Sequence, residues 1–273
     1  MDRIKQALDK ARAERLLGEP REIDLLPVGG ESASQSGIRA AEIKYSQTKV
    51  YELDPETLRK NRVIYGDADR HGLAAYKLLR TQVMQRMAAR DWNALAITSP
   101  SVGDGKTVTS INLAISLARE LHRTVLLVDM DLRNPSVGRY FGLAPEKGIS
   151  DYLLGDTPLS DILINPGIER LVVLPGRTLI ENSSEVLASP AMGRMVTDLK
   201  SRYPSRIVLF DLPPVLSADD ALSFAPYVDA FLLVLRDGKN TRDEVAHTLE
   251  VMKEATILGT VLNDSPEQIA GYY

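Results

Sequence analysis

The chain has 273 residues, 44% hydrophobic and 26% charged, which is enough apolar material for a buried core of ordinary proportions. Its net charge of −4 argues against a nucleic-acid binder held by overall positive charge, and the lack of cysteine excludes disulfides, thiolate metal sites and cysteine-ligated iron–sulfur clusters. No apolar window approaches the ~18–20 residues that span a bilayer, and the charged start MDRIKQALDKARAERLLGEP does not read as a signal peptide, so a soluble protein is expected.

Along residues 2–17, Ile4, Ala7, Leu8 and Ala11 fall near one face of a helix ringed by lysine and arginine, and Gly18 and Pro20 stop it. The stretch that follows, containing VGGESASQSG, has no sustained period and reads as a linker. Residues 1–54 are therefore expected to be an amphipathic helix and a flexible connection. From DPETLRK onward the texture changes, and LAAYKLLRTQVMQRMAAR (73–90) repeats apolar positions at helical spacing.

Six short apolar runs come next: ALAIT (94–98), TVLLVD (124–129), LVVLP (171–175), RIVLFD (206–211), AFLLVL (230–235) and TILGTVLN (256–263). Runs of this kind are what strands buried on both faces look like. Helical patterns separate most of them: VTSINLAISLAREL, SPAMGRMVTDLKSRY, ADDALSFAPY and RDEVAHTLEVMKEA. The alternation predicts an α/β fold, a mostly parallel central sheet flanked by helices on both faces, over residues 55–263.

The first strand runs into SPSVGDGKT and then a helix, the setting of a phosphate-binding loop. Gly103 and Gly105 allow backbone conformations that turn amide N–H groups toward phosphate oxygens, and the helix N-terminus adds its dipole. Lys106 is placed to reach the β- and γ-phosphates and Thr107 to ligate Mg²⁺, with Val102, Asp104 and Val108 completing the nucleotide-binding stretch. Pro100 stands where the G-x-x-x-x-G-K-[ST] pattern has its first glycine, a position that needs no positive φ if the backbone turns another way. Two further strands end in carboxylates, Asp129 and Asp131 after TVLLV and Asp211 after RIVLF. Ligands of open α/β sheets bind beyond the carboxyl ends of the strands, so these aspartates beside a phosphate loop describe a Mg-nucleotide site. A strand-terminal aspartate can also simply cap the next helix. His71, His122 and His247 have no metal-ligand spacing.

AITSPSVGDGKTVTSINLAISLA, VLLVDMDLRNPSVGRYFGL, GISDYLLG, LVVLPGRTLIENSSEVLASPAMGRMV, IVLFDLPPVLSADDAL, AFLLVLRDGKNTRDEV and ILGTVLN follow one another in the order found in bacterial tyrosine kinases. The chain resembles these P-loop tyrosine autokinases of capsule and exopolysaccharide assembly from about Ala74 to Asn263. The resemblance implies that Lys106 and Thr107 hold phosphate and Mg²⁺, and that Asp129 acts on the attacking tyrosine hydroxyl or on the metal. It further implies that Asp131 supports Asp129, Asp211 completes the metal shell, and Asn263 contacts the base of ATP. It implies a C-terminal tyrosine-bearing tail over 264–273, with Tyr272 and Tyr273 as phosphoacceptors. The ten residues after Asn263 span at most ~33–36 Å, enough to reach a neighbouring subunit's site. It also implies a membrane activator of the chain-length-determinant type, a cognate tyrosine phosphatase, no nucleic acid, and a cytoplasmic kinase held at the inner membrane through that activator.

One departure bears on assembly. The family's oligomerisation helix reads E-x-x-R-x-x-R, and Ala74, Lys77 and Arg80 stand in those places. A lysine does not reproduce a bidentate arginine contact, so self-association is expected without a ring built on that ion-pair network. Two other readings stay open at this stage. One is an ATP-binding switch or scaffold of the export complex with little kinase activity. The other is a partition or positioning ATPase, whose signature lysine is replaced here by Ser101.

Overall fold

Successive side chains of a strand point to opposite faces, so a continuous apolar run needs a covering layer on each side. The structure, a computed structural model describing residues 48–66, 69–120, 122–203 and 205–266, supplies both layers. The predicted helix at 2–17 and the two terminal tyrosines lie outside the described residues.

Among the described residues eight strands form one sheet: β1 (Lys49–Val50), β2 (Ala94–Thr98), β3 (Thr124–Asp129), β4 (Ile164–Asn165), β5 (Leu171–Leu174), β6 (Arg206–Asp211), β7 (Ala230–Arg236) and β8 (Ile257–Asn263). Their order is β1-β4-β5-β3-β6-β2-β7-β8. The β4–β5 pair is antiparallel and the other pairs are parallel. The helices are α1 (Pro55–Lys60), α2 (Arg70–Ala88), α3 (Lys106–Ala118), α4 (Val137–Tyr140), α5 (Ile149–Leu153), α6 (Leu159–Ile162), α7 (Ser183–Leu187), α8 (Pro190–Ser201), α9 (Asp220–Phe224) and α10 (Arg242–Val251).

Alternation along the strands builds two cores. Leu95, Ile97, Leu127, Leu209 and Leu232 face one side, where Val83 and Met87 of α2 and Ile111 and Leu117 of α3 cover them. Ala96, Val128, Phe210 and Leu233 face the other, against Met192, Met195 and Leu199 of α8 and Phe224 of α9. Local signals start several helices. Pro190 opens α8 behind Ser189, whose hydroxyl accepts from Met192 N at 3.2 Å, and Thr241 with Glu244 forms a capping box on α10.

The six predicted strands and the five longer helical patterns all appear, with ends shifted by a few residues. The sequence pattern did not show α1, α4, α5, α6 and α7, which have four to six residues each and complete too few turns for a 3.6-residue period to repeat. For the site, register matters most. β3 and β6 run side by side with Asp129 opposite Asp211, and Ile97 near the end of β2 also lies opposite Asp211. Three strands thus deliver their carboxyl ends to one place.

Candidate functional site

The loop between β2 and α3 takes the shape its glycines permit. Gly103 and Gly105 have φ of +83° and +95°, and a Cβ on Gly105 would collide with the side-chain amide of Asn263. Gly105 caps α3, so the free N–H groups of that helix open into the loop. Asn263, the last residue of β8, donates from Nδ2 to Asp104 O at 2.9 Å and ties the loop to the sheet.

Lys106, Thr107, Asp131 and Asp211 meet in a single cluster. The Lys106 ammonium lies 2.8 Å from Asp131 Oδ2 and 3.7 Å from Asp211 Oδ2. Thr107 Oγ1 donates to Asp211 Oδ2 at 2.7 Å, and Ser110, one turn further along α3, donates to Asp211 Oδ1 at 2.9 Å. Asp129 caps the helix that follows with one of its two carboxylate oxygens. Its Oδ2 accepts from Ser136 N (2.8 Å) and Val137 N (2.9 Å) at the start of α4, while its Oδ1 is buried without a partner.

Burial pushes the Asp129 carboxyl up to about 7, helped by the charge of Asp211 and opposed by the Val137 N–H, Lys106 and the Ser136 N–H. Burial also raises Asp211, against the pull of Lys106 and the Thr107 and Ser110 hydroxyls. For Lys106, burial acts to lower the pKa, but Asp211 and Asp131 outweigh it, so the ammonium keeps its proton more firmly than usual. The cluster therefore holds one firm cation among three carboxylates, two of which resist ionisation.

Mg²⁺ suits these donors. Among the described residues no three carboxylates or histidines form a ready cation cage. Mg²⁺ needs none, because it takes one or two protein carboxylates and completes its shell with phosphate oxygens and water. The Thr107 hydroxyl, Asp211 and the unpartnered Asp129 Oδ1 are hard oxygen donors at one place.

Beside the loop opens a pocket of about 520 Å³. Gly103, Gly105, Val108 and Asn263 form its loop side, and Lys60, Arg62, Arg139, Tyr140, Arg236 and Asp264 line the rest. Among the predicted residues, Val102 is 68% exposed, and Asp104 is buried with its carboxylate bound to Lys239 Nζ (2.7 Å), Ser101 N (2.8 Å) and Asn240 Nδ2 (3.1 Å). Lys239 Nζ also donates to Val102 O, Ser101 Oγ to Glu244, and Arg236 Nη1 to Gly103 O at 3.2 Å. All three histidines are exposed.

Sequence reasoning did not single out this brace of residues 236–244, nor Ser110, nor the basic wall of the pocket. The available signals were the charged turn RDGKN directly after a strand's carboxyl end and a serine four residues past Lys106 on the inner face of α3. The lining from α1 and α4 carried no signal, since neither helix was legible.

A family model described as an AAA domain matches residues 93–233. The tyrosine-protein kinase CpsD of Streptococcus agalactiae is 32% identical over 200 residues, 72% of this chain and 84% of that protein. The crystal structure of the chimerical protein CapA2B2 superposes with a TM-score of 0.67 at 27% identity, covering 81% of this chain and 96% of that one. The kinase domain of the Escherichia coli tyrosine kinase ETK superposes at 0.65 with 28% identity, covering 74% and 80%.

Proposed function

The chain belongs to the bacterial tyrosine-kinase family, and on that premise we propose that it is a Mg·ATP-dependent tyrosine autokinase that regulates exopolysaccharide polymerisation and export. The observation that carries this reading is the Lys106 ammonium held between Asp131 and Asp211, with Asp129 in register beside them at the mouth of a phosphate loop.

Phosphoryl transfer asks a protein for charge neutralisation and in-line positioning more than for covalent chemistry. The N–H groups at the start of α3 and the Lys106 ammonium receive the phosphates. The adenosine end faces the pocket with Asn263. Thr107, Asp211 and Asp129 would hold Mg²⁺, which when bound neutralises charge on the transferring phosphate. Asp129 acts on the tyrosine hydroxyl from its place in register with Asp211, with its Oδ1 unpartnered. It accepts the proton of a tyrosine hydroxyl as that oxygen bonds to the γ-phosphorus and the bond to the ADP oxygen breaks. Tyr272 and Tyr273 are the proposed acceptors, on a tail following residue 263.

Among the described residues no helix is long and apolar enough to cross a membrane, and one matching structure is a chimera. On this reading the kinase is held at the inner membrane by a separate activator of the chain-length-determinant type, and a tyrosine phosphatase resets it. Mass spectrometry after incubation with Mg·ATP, beside a Lys106→Met control, tests the activity. About 80 Da per phosphate on Tyr272 or Tyr273, absent from the control, is the expected result. A wild-type chain that binds ATP yet stays unmodified, even with an activator's cytoplasmic segment supplied, would replace this reading with an ATP-binding scaffold.

A further inference from the structure

The pocket beside the loop carries more positive charge than adenosine can use. Adenine and ribose are neutral, yet Lys60, Arg62, Arg139 and Arg236 line the cavity with Asp264 as its one carboxylate among the described residues. Arg236 holds that carboxylate closely, Nη2 to Oδ2 2.7 Å, and Arg62 reaches its other oxygen at 3.5 Å. Lys60 and Arg139 have no ion-pair partner among the described residues. Their walls are fixed to each other through Asn61, whose Nδ2 donates to Tyr140 O at 3.0 Å and Arg139 O at 3.4 Å. Cations that line one pocket repel, and a dianion bound among them relieves that cost.

Asp264 is also the residue where the chain leaves β8, turning at a φ of +59°. From Pro266 to Tyr272 the chain extends at most ~20–22 Å, so a short excursion out and back returns the phenol to the wall formed by its own Asp264. We propose that Tyr272, once phosphorylated, docks in this pocket of its own subunit, with its phosphate among Lys60, Arg62 and Arg139 and its ring beside Tyr140. Gly103, Gly105 and Val108 line the same cavity, so the docked tail and a bound nucleotide compete. The charged tail is thus a brake: a subunit that has received phosphate loses ADP and does not reload ATP until the phosphate is removed. This rests on the autokinase reading above for the source of the phosphate.

The test uses the full chain loaded with a fluorescent ADP in Mg²⁺ buffer. Two synthetic peptides of the sequence Ser265–Tyr273 compete for it, one phosphorylated on Tyr272 and one not. The phosphopeptide is expected to displace ADP at roughly tenfold lower concentration, the effect of one or two charge-assisted hydrogen bonds. In a Lys60→Gln/Arg139→Gln variant, read against its own ADP affinity, the gap between the peptides closes. Equal displacement by both peptides, or by inorganic phosphate at the same concentration, overturns the proposal, as does a gap that survives in the variant. A chain carrying a ligated phosphotyrosine tail then binds ADP more weakly than its dephosphorylated form, by the same factor at every protein concentration. A factor that grows with protein concentration overturns docking within one subunit. Neither experiment needs the chain to phosphorylate itself, so failure of the autokinase reading shows separately, in the mass spectrum.

Discussion

The Lys239 ammonium lies 2.7 Å from a carboxylate oxygen of Asp104, and Asp104 is wholly buried within the phosphate loop. A buried carboxylate needs partners, and this one has Lys239, Asn240 and the Ser101 N–H. The Asp104 side chain therefore ties the loop to the turn after β7. Lys239→Met should cost about 1–3 kcal/mol of stability, less than for an unaided buried charge because two donors remain. Nucleotide affinity should fall with it, because the loop loses its brace. Adding Asp104→Asn should recover part of both losses. Urea unfolding and calorimetric titration of the two single variants and the double give the coupling, and strictly additive effects would sink the argument.

Asp129 makes the nucleotide-free, metal-free chain sensitive to pH. Its carboxyl is raised from an ordinary 3.8 to about 7, by burial first and by Asp211 second. Between those two values the folded chain keeps a proton that the unfolded chain has released, so stability falls as pH rises through the window. Below 3.8 both states are protonated and above about 7 both are ionised, and this contribution is flat. Asp129→Asn should remove that part of the slope and leave the variant more stable than wild type at pH 8. Melting temperatures with EDTA from pH 4.5 to 8.5 decide it, and an unchanged slope in the variant would assign the effect elsewhere.

Gly105 is the glycine whose replacement should disable nucleotide binding most directly. Its φ of +95° disfavours any L side chain, and the added methyl meets the Asn263 amide that holds Asp104 O. Gly105→Ala should keep the fold, because the strain sits at the loop and outside either core, but lose nucleotide affinity by at least about tenfold. Gly238, with a φ of +68° and open space around it, is the contrast, and Gly238→Ala should bind nucleotide nearly as wild type does. Titration with ADP and circular dichroism of both variants check this. Equal losses would mean that strain alone, and not the Asn263 contact, governs the loop.

The legible parts of this protein were those with long or periodic patterns. β2, β3 and β6 announce themselves as apolar runs, and Asp129, Asp131 and Asp211 at the ends of β3 and β6, with Lys106 in the loop, follow from the rule that ligands sit beyond strand ends. The proximity of Lys106 to Asp131 depends on the turn between Asp131 and Asn134, whose N–H donates to Asp131 Oδ1 at 3.1 Å, and a run of residue types does not encode that turn. The pocket wall was illegible for a related reason. Lys60, Arg139 and Asp264 are far apart in sequence and meet only because α1, α4 and the end of β8 converge beside the loop.

Arg80 bears on assembly. It stands where the family's second arginine of the oligomerisation helix is expected, yet it is engaged within its own subunit. Its Nη1 donates to Ser116 O at 3.1 Å, its Nε lies 3.2 Å from Glu120 Oε1, and its side chain is only 20% exposed. Ser116 Oγ in turn donates to Tyr76 O at 3.1 Å, so α2 and α3 are tied along this seam. A guanidinium that donates to a carbonyl and is paired in charge with Glu120 at home is less available to a neighbour, and Ala74 offers no carboxylate in exchange. The chain alone should therefore sediment as a monomer at roughly 10 µM, a concentration at which an interface of micromolar affinity would already be occupied. An Ala74→Glu/Lys77→Arg variant, which restores two of the three positions on the accessible side of α2, should associate at the same concentration. Sedimentation velocity on both proteins, with and without Mg·ADP, reads the outcome. A wild-type ring formed without any partner would mean that the subunits meet through a surface other than the start of α2, and the Arg80 contacts would then be local packing between α2 and α3 with no bearing on assembly.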